Sequence, residues 1–334
     1  MRDTQPTANT KLTDMNVTAN GSSSWSCSFN LMNSTAAKTG KTIALSLILV
    51  VSLVGNSLIG IIVYKTPNLR KPINFLIANM AMSDLLYPIF LFPSRLTLLH
   101  LDGWLIGGFL GQALCKLPSF LADASTLVSV QSLILITVDR FQATVVPLRS
   151  PLISRKFCPF FILATWIVAM AVYSPYLIAF QLVEYPEGMK CKKQQEAFGE
   201  TAYRNYILAV AIMFFYIPFV LFLLLYSIML IKLKQQAHPG EQSANIEVLR
   251  KRRNKNVLKT AIAIVLVFMF CWLPFFTNLL LFSFAPENSR SCGFLMFFHC
   301  SLYMAFANCA INPFVCLIFS SNYRQGLKKL LTFN

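Results

Sequence analysis

Charge is what this sequence has least of. Only 13% of its residues are charged and 56% are hydrophobic, whereas an ordinary soluble domain is roughly 25% charged. So few charges cannot cover a water-facing surface, which excludes a soluble enzyme of one or two domains. The apolar fraction equally excludes intrinsic disorder. Acids are the scarcer sign, 13 Asp and Glu against 29 Lys and Arg, for a net charge of +16. A nucleic-acid binder would gather that excess on one soluble face. Here the charges fall in short clusters between long uncharged runs, so no nucleic-acid partner is expected and the solvent is lipid. Histidine is rarer still. His100, His238 and His299 fall in different loops and helix ends, so the clustered His/Asp/Glu set of a membrane enzyme is missing. No internal repeat is visible, and only Asp84 and Asp123 are charged residues within the apolar runs, which speaks against a transporter or channel. The first 40 residues lack the apolar core of a signal peptide, so the first span is expected to do the targeting.

What the chain does have is long apolar runs. Crossing a hydrocarbon layer of roughly 30 Å takes about 20 such residues in a helix. Thr42–Tyr64, Phe157–Val183, Asn205–Ile231, Thr260–Pro286 and Ser291–Tyr323 carry no charge. Ile73–Ser94 and Leu117–Val138 carry one carboxylate each, Asp84 and Asp123. That makes seven spans, each helical because lipid cannot satisfy free backbone groups. The expected fold is an all-α membrane protein: an N-terminal arm over 1–41, a seven-transmembrane helix bundle over 42–319 and a short tail over 320–334. With the N-terminus outside, 18 Lys and Arg face the cytoplasm and 11 do not, while acids divide 3 to 8 the other way. That asymmetry orients a multi-pass protein of the cell membrane with an extracellular N-terminus. Asn-X-Ser/Thr triplets at Asn16, Asn20 and Asn33 fit an extracellular, glycosylated arm. The polar stretch Gln235–Asn256, ending in Arg250-Lys251-Arg252-Arg253, reads as a cytoplasmic loop feeding the sixth helix.

Nine cysteines divide by compartment. Cys158, Cys271, Cys300, Cys309 and Cys316 lie in or near spans, where a thiol behaves as a small apolar group. Cys115 and Cys191 face an oxidising compartment, so a disulfide between them is expected. Cys27 and Cys292 also face outside, and two readings stand: a second bridge or two free thiols. Asp84 likewise admits two readings. With Ser129, Asn308 and Asn312 at comparable depth it forms an oxygen-only set suited to a hard monovalent cation; alternatively it is a neutral or water-bridged carboxyl that holds helices together. Asp139-Arg140 closes the third span, either as a held ion pair that a partner competes for or as simple snorkelling. Pro88, Pro93, Pro175, Pro218, Pro274 and Pro313 lie within spans, enough to kink five of seven helices.

Taken in order, these residues resemble the rhodopsin-like (class A) G-protein-coupled receptors, and the likeness covers about Thr42 to Leu331. The matching positions are Gly55-Asn56, Asn79-x-x-x-Ser83-Asp84, Cys115, Asp139-Arg140-Phe141, Trp166, Pro218 with Tyr226, Cys271-Trp272-Leu273-Pro274, and Asn308 with Asn312-Pro313. Tyr323 takes the aromatic position that opens a short amphipathic eighth helix, here Ser321–Leu331. The resemblance implies signalling to heterotrimeric G proteins without catalysis and without a cofactor other than an allosteric sodium ion. It implies a sodium site at Asp84, Ser129, Trp272, Asn308 and Asn312, and a packing switch at Val130, Pro218 and Phe268. It also supports pairing Cys115 with Cys191.

Three departures stand out. The seventh-helix motif ends in Cys316 where the family has Tyr, and a thiol is too short and too weak a donor to reach Tyr226 through water. Asn254 stands eighteen residues before Trp272, where some relatives carry a Glu that holds the motif Arg. Trp104 precedes Cys115 by eleven residues, more than is usual, so the first outer loop is expected to be shaped differently.

Ligand class follows by elimination. Amine receptors of this kind place an Asp seven residues after the third-helix cysteine; here that residue is Ala122, with Asp123 next to it and turned away by about 100°. No Lys lies between Cys292 and Phe319, which removes a retinal pigment. A small or medium peptide leads, since Thr66–Arg70 through Asp84-Leu85-Leu86 resembles neuropeptide receptors. A non-peptide small molecule such as an amine or lipid is the alternative. Expected pocket residues are Arg95, Gln112, Asp123, Gln181, Phe275, Phe276, Asn278, His299 and Tyr303. Membrane lipid and arrestin are further expected partners. Arrestin engagement is expected to be weak or to use Ser243, since Thr332 is the only Ser or Thr after Asn322.

Overall fold

A computed structural model of the chain describes residues 34–101, 103–146, 152–186, 188–193, 199–235, 245–284 and 291–332, with backbone alone for 193, 200, 245–254, 282, 283 and 292. The glycosylation sites Asn16, Asn20 and Asn33 lie outside these residues. So do Cys27 and the Cys292 side chain, and with them the expected second bridge.

Seven helices are long and apolar enough to cross a membrane. Helix α1 is Thr35–Lys65, its first turn capped where the Ser34 hydroxyl accepts from the Ala37 amide at 3.2 Å. It starts at Thr35 and not at Thr42 because Lys38 and Lys41 carry their charges to the interface on apolar stems. Helix α2 is Pro72–His100; Pro72 starts it and Pro88 falls in a π turn, Tyr87–Leu91, that re-aims its outer half. Helix α3 is Gly108–Val145 and contains Pro118, a proline the kink count above omits. Helix α4 is Cys158–Tyr173.

The fourth apolar run does not stay helical to Val183. Pro175 interrupts it, one turn follows over Tyr176–Ala179, and the chain extends into strand β1, Phe180–Tyr185. Strand β2, Gly188–Lys193, pairs antiparallel with β1, bringing Leu182 opposite Cys191. Apolarity alone could not separate span from strand here. Helix α5 is Thr201–Gln235, with a π segment at Ile212–Tyr216 just before Pro218. Helix α6 is Asn245–Phe284 with Pro274 inside, α7 is Cys292–Phe319 with Pro313 inside, and α8 is Ser321–Leu331.

Side chains sort by solvent in the sense opposite to a water-soluble protein. Leu76, Leu133, Ile136 and Met229 are fully enclosed, whereas Phe160, Ile167, Leu223 and Leu224 stand exposed on helix faces that lipid would cover. Several polar side chains are kept inside and tie helices together. Asn56 donates to the Cys309 carbonyl at 2.8 Å, joining α1 to α7. Asn79 donates to Ser132 at 3.0 Å and accepts from the Trp166 indole at 2.9 Å, joining α2, α3 and α4. In lipid such bonds have no water to compete with them.

Two glycines permit close approach. A Cβ on Gly55 would sit 2.9 Å from Pro313 Cγ, and one on Gly326 would sit 2.7 Å from Ile62. The first sets the α1–α7 spacing; the second lets α8 lie under α1, where Tyr323 is buried and donates to Asn74 at 3.4 Å. Gly55→Val therefore overpacks a helix contact, at about 1–3 kcal/mol. The expected outcome is a lowered melting temperature of the detergent-solubilised protein; an unchanged one would contradict this packing.

Candidate functional site

At mid-depth the structure brings Asp84, Ser129 and Asn312 together. Asp84 is 2% exposed. Its Oδ2 accepts from Asn312 Nδ2 at 2.9 Å and its Oδ1 from the Ser129 hydroxyl at 3.3 Å. Ser83 and Ser125 extend this cluster: Ser83 shares a hydrogen bond with Ser129 at 3.2 Å, and Ser125 donates to the Ser83 carbonyl at 2.8 Å. Sequence reasoning passed over Ser125, although its i−4 spacing from Ser129 places both on one face. Both donors to Asp84 are neutral, so they do not offset a buried negative charge. Asn308 Oδ1, Asn312 Oδ1 and Trp272 Nε1 are buried without a hydrogen-bond partner. A carboxyl group with the orphaned Asn312 amide oxygen beside it is a ligand set that, once ionised, a hard cation with water would satisfy.

Above this cluster the aromatic residues form a continuous stack. Trp272 lies 6.0 Å from Phe268 and 5.7 Å from Phe276, and Phe276 stacks on Phe215 at 4.1 Å. Val130, Pro218 and Phe268 line one small space with Phe215 and Phe222, so the three expected packing residues are neighbours.

At the inner end Arg140 Nε donates to Asp139 Oδ2 at 3.0 Å, and a second guanidinium nitrogen pairs with the same oxygen. Both side chains line a cavity of about 200 Å³, with Asn74, Thr260 and Tyr323 among its other walls. Tyr226 does not meet Cys316. Its hydroxyl bonds with Thr137 at 3.1 Å, while Cys316 is buried beside Asn56, Asn312 and Pro313. The Asn254 side chain lies outside the described ones.

At the outer end the nine expected pocket residues do not form one wall. Cys115 and Cys191 are disulfide-bonded, which anchors β2 to α3. Gln112 is a second anchor, its Oε1 accepting from the Leu182 amide at 2.9 Å. Gln181 lies on the same hairpin, donating to Ile178 at 3.5 Å. The long Trp104–Cys115 spacing is explained by a third anchor: Trp104 pairs with Met189, its amide donating at 2.7 Å. Asn278 is fully buried and donates to Ser301 at 3.1 Å, tying α6 to α7. His299 and Tyr303 turn toward α1 and line a groove there. That leaves Arg95, Asp123, Phe275 and Phe276. Arg95 is exposed on α2, within electrostatic range of Asp123 and Tyr303. Asp123 is half-buried on α3, within electrostatic range of Tyr173 and Tyr176 at and just beyond the end of α4 and of Tyr203 and Tyr206 near the start of α5. Ala122, at the amine-receptor position, is buried.

The model of the seven-transmembrane receptors of the rhodopsin family matches residues 55–315, from the first helix motif through the seventh. The chain belongs to that family. Members are receptors and not enzymes, and among them this one is most like neuropeptide receptors. It is 29% identical to the RYamide receptor of Drosophila melanogaster over 294 residues, 85% of this chain and 61% of that receptor. It is 31% identical to growth hormone secretagogue receptor type 1 of Mustela putorius furo over 88% of this chain and 81% of the other. It is 26% identical to neuropeptide FF receptor 2 of Mus musculus over 84% and 70%.

The outer anchors generate a test. Gln112→Ala removes the acceptor of the Leu182 amide, so amide hydrogen exchange over Phe180–Tyr185 should quicken while α4 keeps its protection. Unchanged exchange in the strand would count against Gln112 as an anchor.

Proposed function

We propose that this receptor binds an extracellular peptide and activates heterotrimeric G proteins. One observation carries the reading: the Asp139–Arg140 pair lies open to a cavity at the inner mouth, beneath the Asp84 cluster and the Trp272 stack. A peptide bound outside would bias two packings of that stack and the α6 segment below it. Arg140 would then leave Asp139 for the inserted tail of a G protein. The relatives named for RYamide and neuropeptide FF support a peptide agonist, and the buried Ala122 leaves an amine without the expected carboxylate. Loop charge supports an extracellular, glycosylated N-terminal arm at Asn16, Asn20 and Asn33, and the basic inner face would meet anionic lipid as well as the G protein. Arrestin would engage through the third inner loop more than the tail.

Asp84, Ser129, Asn308 and Asn312 would hold a sodium ion, with Trp272 bordering it. Such an ion would supply the charge compensation that Asp84 otherwise lacks, and these residues would hold α2, α3 and α7 in the resting packing around it. Asp84→Asn removes that charge. In the wild type, agonist affinity should fall several-fold as sodium rises, within the 5–150-fold typical of coupled sites; the variant should lose this dependence. A sodium effect that survives in Asp84→Asn refutes the site.

Cys316 would leave the active packing without the tyrosine that the family uses, since a thiol is too short and too weak a donor to reach Tyr226 through water. Cys316→Tyr should raise agonist-driven output in a G-protein assay, and unchanged output would sink the idea. With Asn254 in place of a Glu, basal activity above empty vector is also expected at matched surface expression. The peptide reading itself is tested by screening a peptide library on cells carrying the receptor and a promiscuous G protein. Responses to lipids or amines but to no peptide would overturn the peptide reading. Substrate flux in proteoliposomes without nucleotide-sensitive signalling would overturn the receptor mechanism.

A further inference from the structure

Between the outer halves of α1 and α7 lies a cavity of about 570 Å³ that the peptide and switch readings leave unused. Its α1 wall is small, with Ala37, Gly40 and Ala44 among the lining residues. A Cβ placed on Gly40 meets nothing within 4 Å, so the space beside it is open. Gly40 is exposed and Met296, on the α7 wall, is 42% exposed. Both walls belong to helices long and apolar enough to cross a membrane, so lipid would flank the groove. Its polar residues include Lys41, His299 and Tyr303, and no carboxylate lines it among the described residues. Lys41 sits near the start of α1, within its first two turns.

We infer that this groove binds a single-chain anionic lipid, a long-chain fatty acid of the outer leaflet. Its carboxylate would sit on Lys41, with His299 and Tyr303 as further polar contacts, and its chain would run along the small-residue wall. An ammonium has three donors, so Lys41 can take a carboxylate alongside a protein partner. The volume falls within the roughly 300–1,000 Å³ of sites that enclose one small ligand, which suits one acyl chain better than two. The occupant would bear on signalling through Tyr303. That residue is within electrostatic range of Arg95 and packs on Phe306 at 6.0 Å, and Phe306 in turn meets Tyr87 of α2 at 6.1 Å. The inference does not depend on the identity of the agonist.

The test uses the full-length receptor in phospholipid nanodiscs and a photoactivatable palmitate, with crosslinks mapped by mass spectrometry. Crosslinks should concentrate in residues 34–44 and 293–303. Gly40→Trp fills the open space and should cut labelling about tenfold. Lys41→Gln should do the same, since losing a charge-assisted hydrogen bond costs about that much, while Lys41→Arg should restore it. Palmitate should compete and its methyl ester should not. Labelling spread evenly over the lipid-facing helices, labelling unchanged in Gly40→Trp, or equal competition by the ester would each overturn the inference. So would labelling that appears only after removal of residues 1–33, because the arm would then be the occupant. Melting temperatures near wild type establish that the variants are folded.

Discussion

The constraint on which the bundle depends is a carboxyl group buried at mid-depth. Asp84 sits at the centre of α2, where, among the described residues, a hydroxyl and an amide donate to it. An ionised carboxylate in that setting costs several kcal/mol unless compensated, and the cost is shared among three helices that must converge to supply donors. α2, α3 and α7 therefore cannot choose their spacing freely. The close pass of Gly55 against Pro313 and the Asn56 bond to the Cys309 carbonyl bring α1 into the same arrangement. Packing alone would give a stable bundle; the buried polar cluster gives one with a limited set of arrangements, which is what a two-state device needs.

α3 is the element against which the others are registered. Its outer end holds the hairpin through Cys115 and Gln112, its middle meets Asp84 through Ser129, and its inner end carries Thr137 and the Asp139–Arg140 pair. A small rotation of α3 or its neighbours is thus felt at all three levels, because the contacts are discrete hydrogen bonds and close-packed rings and not a compliant layer.

Much of this was legible in the chain. The spans follow from apolar run length and the solvent's demand for helical backbone, and the Cys115–Cys191 bridge follows from compartment. The eighth helix has the bounds that the family resemblance implies for it, Ser321–Leu331. What could not be read depends on which way a helix faces. Val183 belongs to a strand although its run is as apolar as a span, because Pro175 ends the helix and Gln112 and Cys115 offer the next segment partners. Asn278 looks like an outer-end polar residue and is instead an internal tie to Ser301. His299 and Tyr303 sit one turn apart on α7 and turn toward α1, which depends on how far α1 leans, a quantity no local pattern encodes. The π turns in α2 and α5 shift phase by one residue, so periodicity carried across Pro88 or into Pro218 misplaces faces beyond them.

The outer hairpin is fastened at three places: by a covalent bond at Cys191, by the Leu182 amide on Gln112, and by Met189 on Trp104. A loop so fastened has little freedom left to lose when something docks against it. The ordering entropy of complex formation then falls on the incoming molecule, and a flexible ligand bears nearly all of it. For such a surface, affinity is gained by stiffening the ligand and scarcely at all by stiffening the receptor.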